Sequence, residues 1–255
     1  KHLGTKLITR STRSLTLTAA GSAYLEKCRL ILNMVDAAES SLAEEKAVPR
    51  GRIRLGLPLS YGLQELMPAL LDFAQAQPFI ELIMDLSDQR ANLIEEGLDL
   101  SIRITAELQP GDIVRKLGQC HLLTLASPDY LALHGELRHP SDLRHHECLI
   151  YASDNAVTTW PYREGEHTLP VQVRGRIVAN NGSALLEAAA RGMGITRQPD
   201  FIAAPYLAQG RVKALLQDFE IPPLGIYAVL PSNRYIPHRV SALIEHLARR
   251  LSPDA

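Results

Sequence analysis

Apolar and polar positions alternate along "RSLTLT", a stretch rich in Thr and Leu, and the pattern predicts a short strand. Arg10 and Arg13 flank the preceding "RST" turn, so the start of the chain reads as a small β-wing. Thr18 is placed as an N-cap, and from Ala19 to about Lys46 there is no Pro and only one Gly, Gly21, in the first turn. One long helix is therefore expected. Its apolar positions Leu25, Cys28, Leu32, Val35 and Leu42 recur at the spacing of a coiled-coil stripe, while Glu26, Lys27, Arg29, Asp36, Glu39 and Glu44 fall elsewhere. At about 1.5 Å per residue such a rod is roughly 40 Å long, and it is expected either to pair with another helix or to lie on its own globular domain. "VPRG", starting at Val48, stops it.

Beyond this linker the periodicity switches between strand and helix. "RIRLGLPLS" reads as strand, "YGLQELMPALLDFAQAQP" as helix, "IELIMDLS" as strand, "QRANLIEEG" as short helix and "LDLSIRI" as strand. That βαβαβ order predicts a parallel sheet with right-handed crossovers. A second set follows: strand "CHLLTLAS", helix "PDYLALHG", strand "RGRIVAN", helix "SALLEAAARGM", strand "GITRQ" and helix "PDFIAAPYLAQG", closed by strand "GIYAVLP" and helix "HRVSALIEHLARRL". Two α/β lobes with chain crossings near 118–123 and 225–230 make a hinged cleft.

Composition narrows the class. The 255 residues are 46% hydrophobic, enough for a substantial core, and carry a formal net charge of −1. Cys28, Cys120 and Cys148 are widely separated with no metal-ligand or redox spacing, which fits a reducing, cytoplasmic setting. No apolar run reaches membrane-spanning length and no secretory signal core opens the chain, so no membrane partner is expected. The charge is uneven. Lys1, Lys6, Arg10, Arg13, Lys27 and Arg29 precede residue 30 beside a single acid, Glu26. Positive charge mixed with Ser and Thr suits phosphate contact, although an ordinary solvated face has the same composition.

The residues also carry a family resemblance. "LGTKLITRSTRSLTLTAAG", with Leu3, Gly4, Leu7, Arg10, Arg13, Leu17, Thr18 and Gly21, resembles the end of the winged helix-turn-helix of LysR-type transcriptional regulators. "RGRIRLGLP", "GLDLSIRI", "ASPDYLALHG", "DLRHHECLIY" and "AAARGMGI" followed by Pro199 are similar to that family in order and spacing, across essentially the whole chain. The resemblance implies a DNA-binding domain, a dimerising linker helix and an α/β, two-lobed effector domain of the periplasmic-binding-protein type (type II). On this reading residues 1–17 are a remnant of the winged helix-turn-helix, 18–47 the linker helix and 52–255 the effector-binding domain. Lobe I comprises 52–120 and 226–255, and lobe II 121–225. The chain has no initiator Met, and the helices preceding the wing are expected to lie outside it, so the 255 residues alone are not expected to read bases. The implied partners are DNA, a small-molecule effector and a second copy in a dimer or tetramer, with no cofactor and no metal.

Candidate residues follow from strand ends, where ligands sit in open α/β sheets and helix N-termini offer free N–H groups. Ser60 and Tyr61 follow the first strand of lobe I, and Ser87, Asp88 and Gln89 follow the second. Ser60 has the alternative of a plain N-cap. Arg103 ends the third strand, where it can meet an effector carboxylate or bridge the lobes. Asn180, Asn181 and Gly182 open a helix of lobe II. "GMGITRQPDF" carries Thr196, Arg197 and Gln198 where the family more often shows apolar residues; polar residues there point to the cleft or to a partner, and Arg197 reads as an anion ligand or a salt-bridge member. Lys6, Arg10, Ser11, Thr12 and Arg13 are the expected wing contacts to DNA phosphates.

Other chemistries fit less well. "GLPLSYG" lacks the Gly that a nucleophile elbow needs at Pro58, and no His/Asp pair is placed for Ser60. Adjacent His residues in "RHHEC" point apart and form no metal motif, and Trp160 reads as packing rather than as a stacking platform. No catalytic role is assigned. A solute-binding protein of the same two-lobed fold is the alternative; a basic wing and a rod argue for the regulator.

Overall fold

The computed structural model describes residues 3–10, 15–42, 48–88, 93, 96–109, 112–151, 159–231 and 236–251. Strands β1 (Ile8–Arg10) and β2 (Leu15–Leu17) pair antiparallel, with Ile8 opposite Leu17, as a two-stranded wing. Helix α1 (Ala19–Leu42) follows directly. Thr18 caps it as expected, its Oγ1 accepting from the Gly21 amide at 2.9 Å and donating to the Lys6 carbonyl at 2.6 Å. Only glycine fits at position 21, since a Cβ there would lie 1.8 Å from the Leu7 carbonyl oxygen, so wing and rod are packed backbone to backbone.

Lobe I contains β3 (Gly51–Leu57), α2 (Leu59–Tyr61), a π turn over Gly62–Leu66, α3 (Met67–Ala76), β4 (Ile80–Leu86) and β5 (Leu100–Thr105). The chain then adds β6 (Ile113–Cys120) and crosses over. Lobe II holds β7 (Leu122–Ala126), α4 (Pro128–His134), β8 (Cys148–Tyr151), β9 (Thr159–Glu164), β10 (His167–Gln172), β11 (Ile177–Ala179), α5 (Gly182–Ala190), β12 (Ile195–Pro199), α6 (Asp200–Ala208) and β13 (Lys213–Leu215). Strand β14 (Leu224–Leu230) and helix α7 (His238–Leu251) return to lobe I. The return strand starts two residues ahead of the lobe boundary read from sequence, because Leu224 already pairs with Cys120. The segment expected as a short helix, 89–97, lies largely outside the described residues.

Both sheets are mixed rather than parallel. Lobe I has the order β4-β3-β5-β14-β6, parallel through β4, β3 and β5 and antiparallel on either side of β14; lobe II has the order β11-β8-β12-β7-β13, with β7 antiparallel to both neighbours. The exceptions have one cause: β14 and β7 are the strands that enter a sheet directly after the chain has crossed between lobes, without a helical crossover to restore direction. In lobe I, α7 buries Val240, Leu243, Ile244 and Leu247, spaced as one helical stripe, against Ile53, Leu55 and Ile226. Lobe II packs apolar residues on both sheet faces, with Trp160, Tyr162 and Ile195 on one and Leu125, Leu186 and Ile202 on the other. No helix among the described residues is long and apolar enough to cross a membrane.

Candidate functional site

The lobes face each other across a cavity of about 730 Å³ at the C-terminal ends of β3, β4, β5 and β12. Ser60, Tyr61, Ser87, Arg103, Arg197 and Gln198 line it. Asn181 stands at its rim as the N-cap of α5, its Oδ1 accepting from the Ala184 amide at 3.1 Å.

A set of polar contacts joins the lobes beside the cavity. Asn181 Nδ2 donates across the cleft to Asp88 Oδ2 at 3.1 Å and lies 3.5 Å from Ser60 Oγ, while Ser60 Oγ meets Ser183 Oγ at 3.1 Å. The other Asp88 oxygen accepts from the Leu59 amide at 2.9 Å. Two expectations change as a result. Pro58, not Ser60, occupies the N-cap position of α2, leaving the Ser60 hydroxyl to face lobe II. The helix N–H group expected to be open to an anion is already held by a carboxylate of the protein, so an added anion there would face Asp88. Behind this gate the ring of Tyr61 meets Phe201 of α6 edge-on at 5.0 Å, and burial raises its phenol pKa.

Arg103 is half-buried and lies 4.0 Å from Asp112, an acid of its own lobe. Arg197 is in a different position. It is 8% exposed, forms no ion pair among the described residues, and its Nε has no hydrogen-bond partner. Its guanidinium lies 4.9 Å from the ring of Tyr162 and 5.9 Å from that of Trp160. Contact with an aromatic face returns about 0.5–2 kcal/mol, whereas removing an ion from water costs several kcal/mol. Burial accordingly lowers its pKa, opposed by Tyr162 and Glu220. The Tyr162 hydroxyl is fixed on Thr124 Oγ1 at 2.8 Å, and burial pushes this phenol up to about 12.

The neighbours of Arg197 complete the wall. Thr196 and Gln198 are fully buried, and Gln198 Nε2 donates to Thr196 Oγ1 at 2.7 Å. Gln198 also presses on the start of α5: a Cβ at Gly182 would lie 2.4 Å from Gln198 Oε1. Of the polar run on β12, Arg197 and Gln198 line the cavity, while Thr196 does not. The pairing of Arg197 with the β9–β10 hairpin was not legible, because nothing in the local pattern ties Trp160 and Tyr162 to a strand so distant in the chain.

Comparison with known proteins gives this architecture a family. A model described as the LysR substrate binding domain matches residues 46–252. The chain belongs to the LysR-type transcriptional regulators. An HTH-type transcriptional regulator from Xanthomonas campestris pv. campestris is 32% identical, over 100% of this chain and 75% of its own length. The HTH-type transcriptional regulator PtxR from Pseudomonas aeruginosa is also 32% identical, over 99% of this chain and 81% of its own. Among solved structures, CrgA, a LysR-type transcriptional regulator from Neisseria meningitidis, is similar with a TM-score of 0.71 and 27% identity, over 98% of this chain and 85% of that one. As a LysR-type regulator the chain acts on transcription, and its two-lobed unit is an effector-binding domain.

On the rod of this LysR-type regulator, several apolar side chains among the described residues are turned to solvent. Leu32 is 64% exposed and Val35 48%, with Ile31 beside them at 60%; Leu25 and Cys28 are half-buried. Leu42 falls outside the residues whose side chains are described. In the wing Lys6 is exposed and Arg10 ends β1, while Ser11, Thr12 and Arg13 lie outside the described residues.

Proposed function

We propose that this regulator responds to a small carboxylate bound in the cleft between the lobes, with Ser60, Tyr61, Ser87, Arg103, Asn181, Arg197 and Gln198 around it. The observation that carries this reading is the polar gate: Asn181 on Asp88 and Ser183 on Ser60 join lobe II to two residues that line the cavity. A ligand entering there must replace these bonds with its own, so occupancy is coupled to the angle between the lobes. The hydroxyl contact contributes about 0.5–1.5 kcal/mol and the amide-to-carboxylate bond about 1.5–3 kcal/mol at full strength, small enough for a bound molecule to outcompete.

The lobe movement reaches DNA through α1. The stripe of Leu25, Cys28, Leu32, Val35 and Leu42, exposed at Leu32 and Val35, pairs with a second copy, as a dimer or tetramer, and the paired rods set the spacing of wings whose Lys6, Arg10, Ser11, Thr12 and Arg13 lie against phosphates. The protein works in the cytoplasm, where such metabolites and DNA are both present, and carries out no catalysis. A thermal-shift screen of small metabolites tests the cleft reading. A true effector at a hundred times its dissociation constant adds about 2.7 kcal/mol of stability, and Asn181→Ala should change that response. Hits that stabilise the wild type and Asn181→Ala equally would place the binding site elsewhere.

A further inference from the structure

The two walls of the cleft differ in charge. Lobe I lines the cavity with Asp85, Asp88, Glu96 and Glu107, and its one lining arginine, Arg103, lies beside Asp112. Lobe II presents Arg197, buried, with an unpartnered Nε and two aromatic rings against its guanidinium. Rings provide no acceptor in the plane of the guanidinium, and Arg197 lines the cavity with its buried Nε–H unsatisfied. On the opposite wall an incoming group meets carboxylate and hydroxyl oxygens, and Asp88 already holds the Leu59 amide that would otherwise attract an anion. Each carboxylate oxygen of Asp88 accepts one bond from the protein and retains capacity for another.

We propose that the cleft reads a polarised molecule: a small monocarboxylate whose anionic end is received by Arg197 in lobe II and whose other end carries a hydrogen-bond donor, hydroxyl or ammonium, received by Asp88 and Ser60 in lobe I. This rests on the cleft being the effector site and adds its orientation and chemical class. A dicarboxylate is discriminated against, because its second anion would lie against Asp88 with no free cation on that wall among the described residues. A neutral diol leaves Arg197 unpaired. Arg197 is thus the specificity-determining residue for the anion, and Asp88 the residue that excludes a second one.

The test uses probes of matched size: lactate and β-alanine, each a monocarboxylate with a donor, malonate as the dicarboxylate, and propylene glycol as the neutral control. Each is titrated into the isotope-labelled chain while the Arg197 Nε–H resonance is followed, assigned by its loss in Arg197→Lys. Lactate or β-alanine should shift that resonance saturably, malonate should bind at least about tenfold more weakly, the scale of one charge-assisted contact, and propylene glycol should leave it unchanged. Asp88→Asn should narrow or reverse the gap between lactate and malonate, and Arg197→Gln should abolish binding of all three acids. Malonate binding as tightly as lactate to the wild type, or an Arg197 resonance unmoved by every acid, overturns the polarity. Failure of the cleft reading itself looks different: metabolite hits whose stabilisation is indifferent to Asn181→Ala.

Discussion

Replacing Asn181 by Asp isolates the bond between the lobes from the helix cap that the same residue provides. The substitution keeps the size of the side chain and the oxygen that accepts from the Ala184 amide, so the cap on α5 survives, and a carboxylate suits that helix end at least as well. What changes is the group facing Asp88 at 3.1 Å, where an amide donor becomes a second carboxylate oxygen. The lost bond has a charged acceptor and is worth about 1.5–3 kcal/mol at full strength, with the lower end apt for half-exposed partners. Repulsion at this separation would add about 5 kcal/mol at an effective dielectric near 20. The lobes avoid most of that by separating, so the net destabilisation should be about 2 kcal/mol, with a more open cleft. Urea denaturation measures the first and the radius of gyration from solution scattering the second. Adding Asp88→Asn should restore both: the amide now on lobe I donates to the carboxylate now on α5, while its own oxygen still accepts from the Leu59 amide. The reasoning is refuted if Asn181→Asp is as stable and as compact as the wild type near neutral pH, or if the reciprocal variant fails to recover.

Three further outcomes are expected. Arg197→Met removes a buried, uncompensated cation while keeping an unbranched apolar stem between the rings of Trp160 and Tyr162, so chemical denaturation of the ligand-free chain should show a gain of about 1 kcal/mol or more, whereas a clear loss would mean the cation is already satisfied. Glu187 takes bonds from Arg191, Arg211 and Tyr206, and these hold its pKa at about 2 against an ordinary 4.5; its contribution is complete above pH 4.5 and is lost as the pH falls toward 2, so the melting-temperature gap between wild type and Glu187→Gln should shrink over that window. Gly175→Ala would place a Cβ 1.5 Å from the Cys148 carbonyl oxygen, backbone against backbone, and should destabilise lobe II by about 1–3 kcal/mol or more; near-neutral unfolding data would contradict the close approach.

Much of this arrangement was legible in the sequence where periodicity is strong. The rod with Thr18 at its cap, the helices α3 to α7 and the apolar strands β3 and β14 follow from spacing and capping chemistry. Strand β6 escaped because "IVRKLGQC" is an exposed edge whose charged residues mask the alternation, and β9 and β10 escaped because Pro161 and Pro170 interrupt them, facing each other in a hairpin whose pairing supplies the order. The parallel sheets became mixed because strand direction depends on where the chain recrosses between lobes, which local pattern does not encode. The cleft was legible as polar residues at strand ends, Ser60, Ser87 and Arg197 among them. Its charge polarity was not, since it arises from Asp88 reaching back to the Leu59 amide and from Trp160 and Tyr162 closing on Arg197, contacts fixed only by the packing of distant segments.

The most direct measurement is a crystal structure of the chain grown with the best-stabilising acid from the metabolite screen. Density for that acid should lie between the lobes, with its carboxylate on the Arg197 guanidinium, its other end toward Asp88 and Ser60, and the Asn181–Asp88 bond exchanged for contacts to the ligand. An acid bound outside the cleft, with the gate intact and Arg197 still unpaired, would contradict the account.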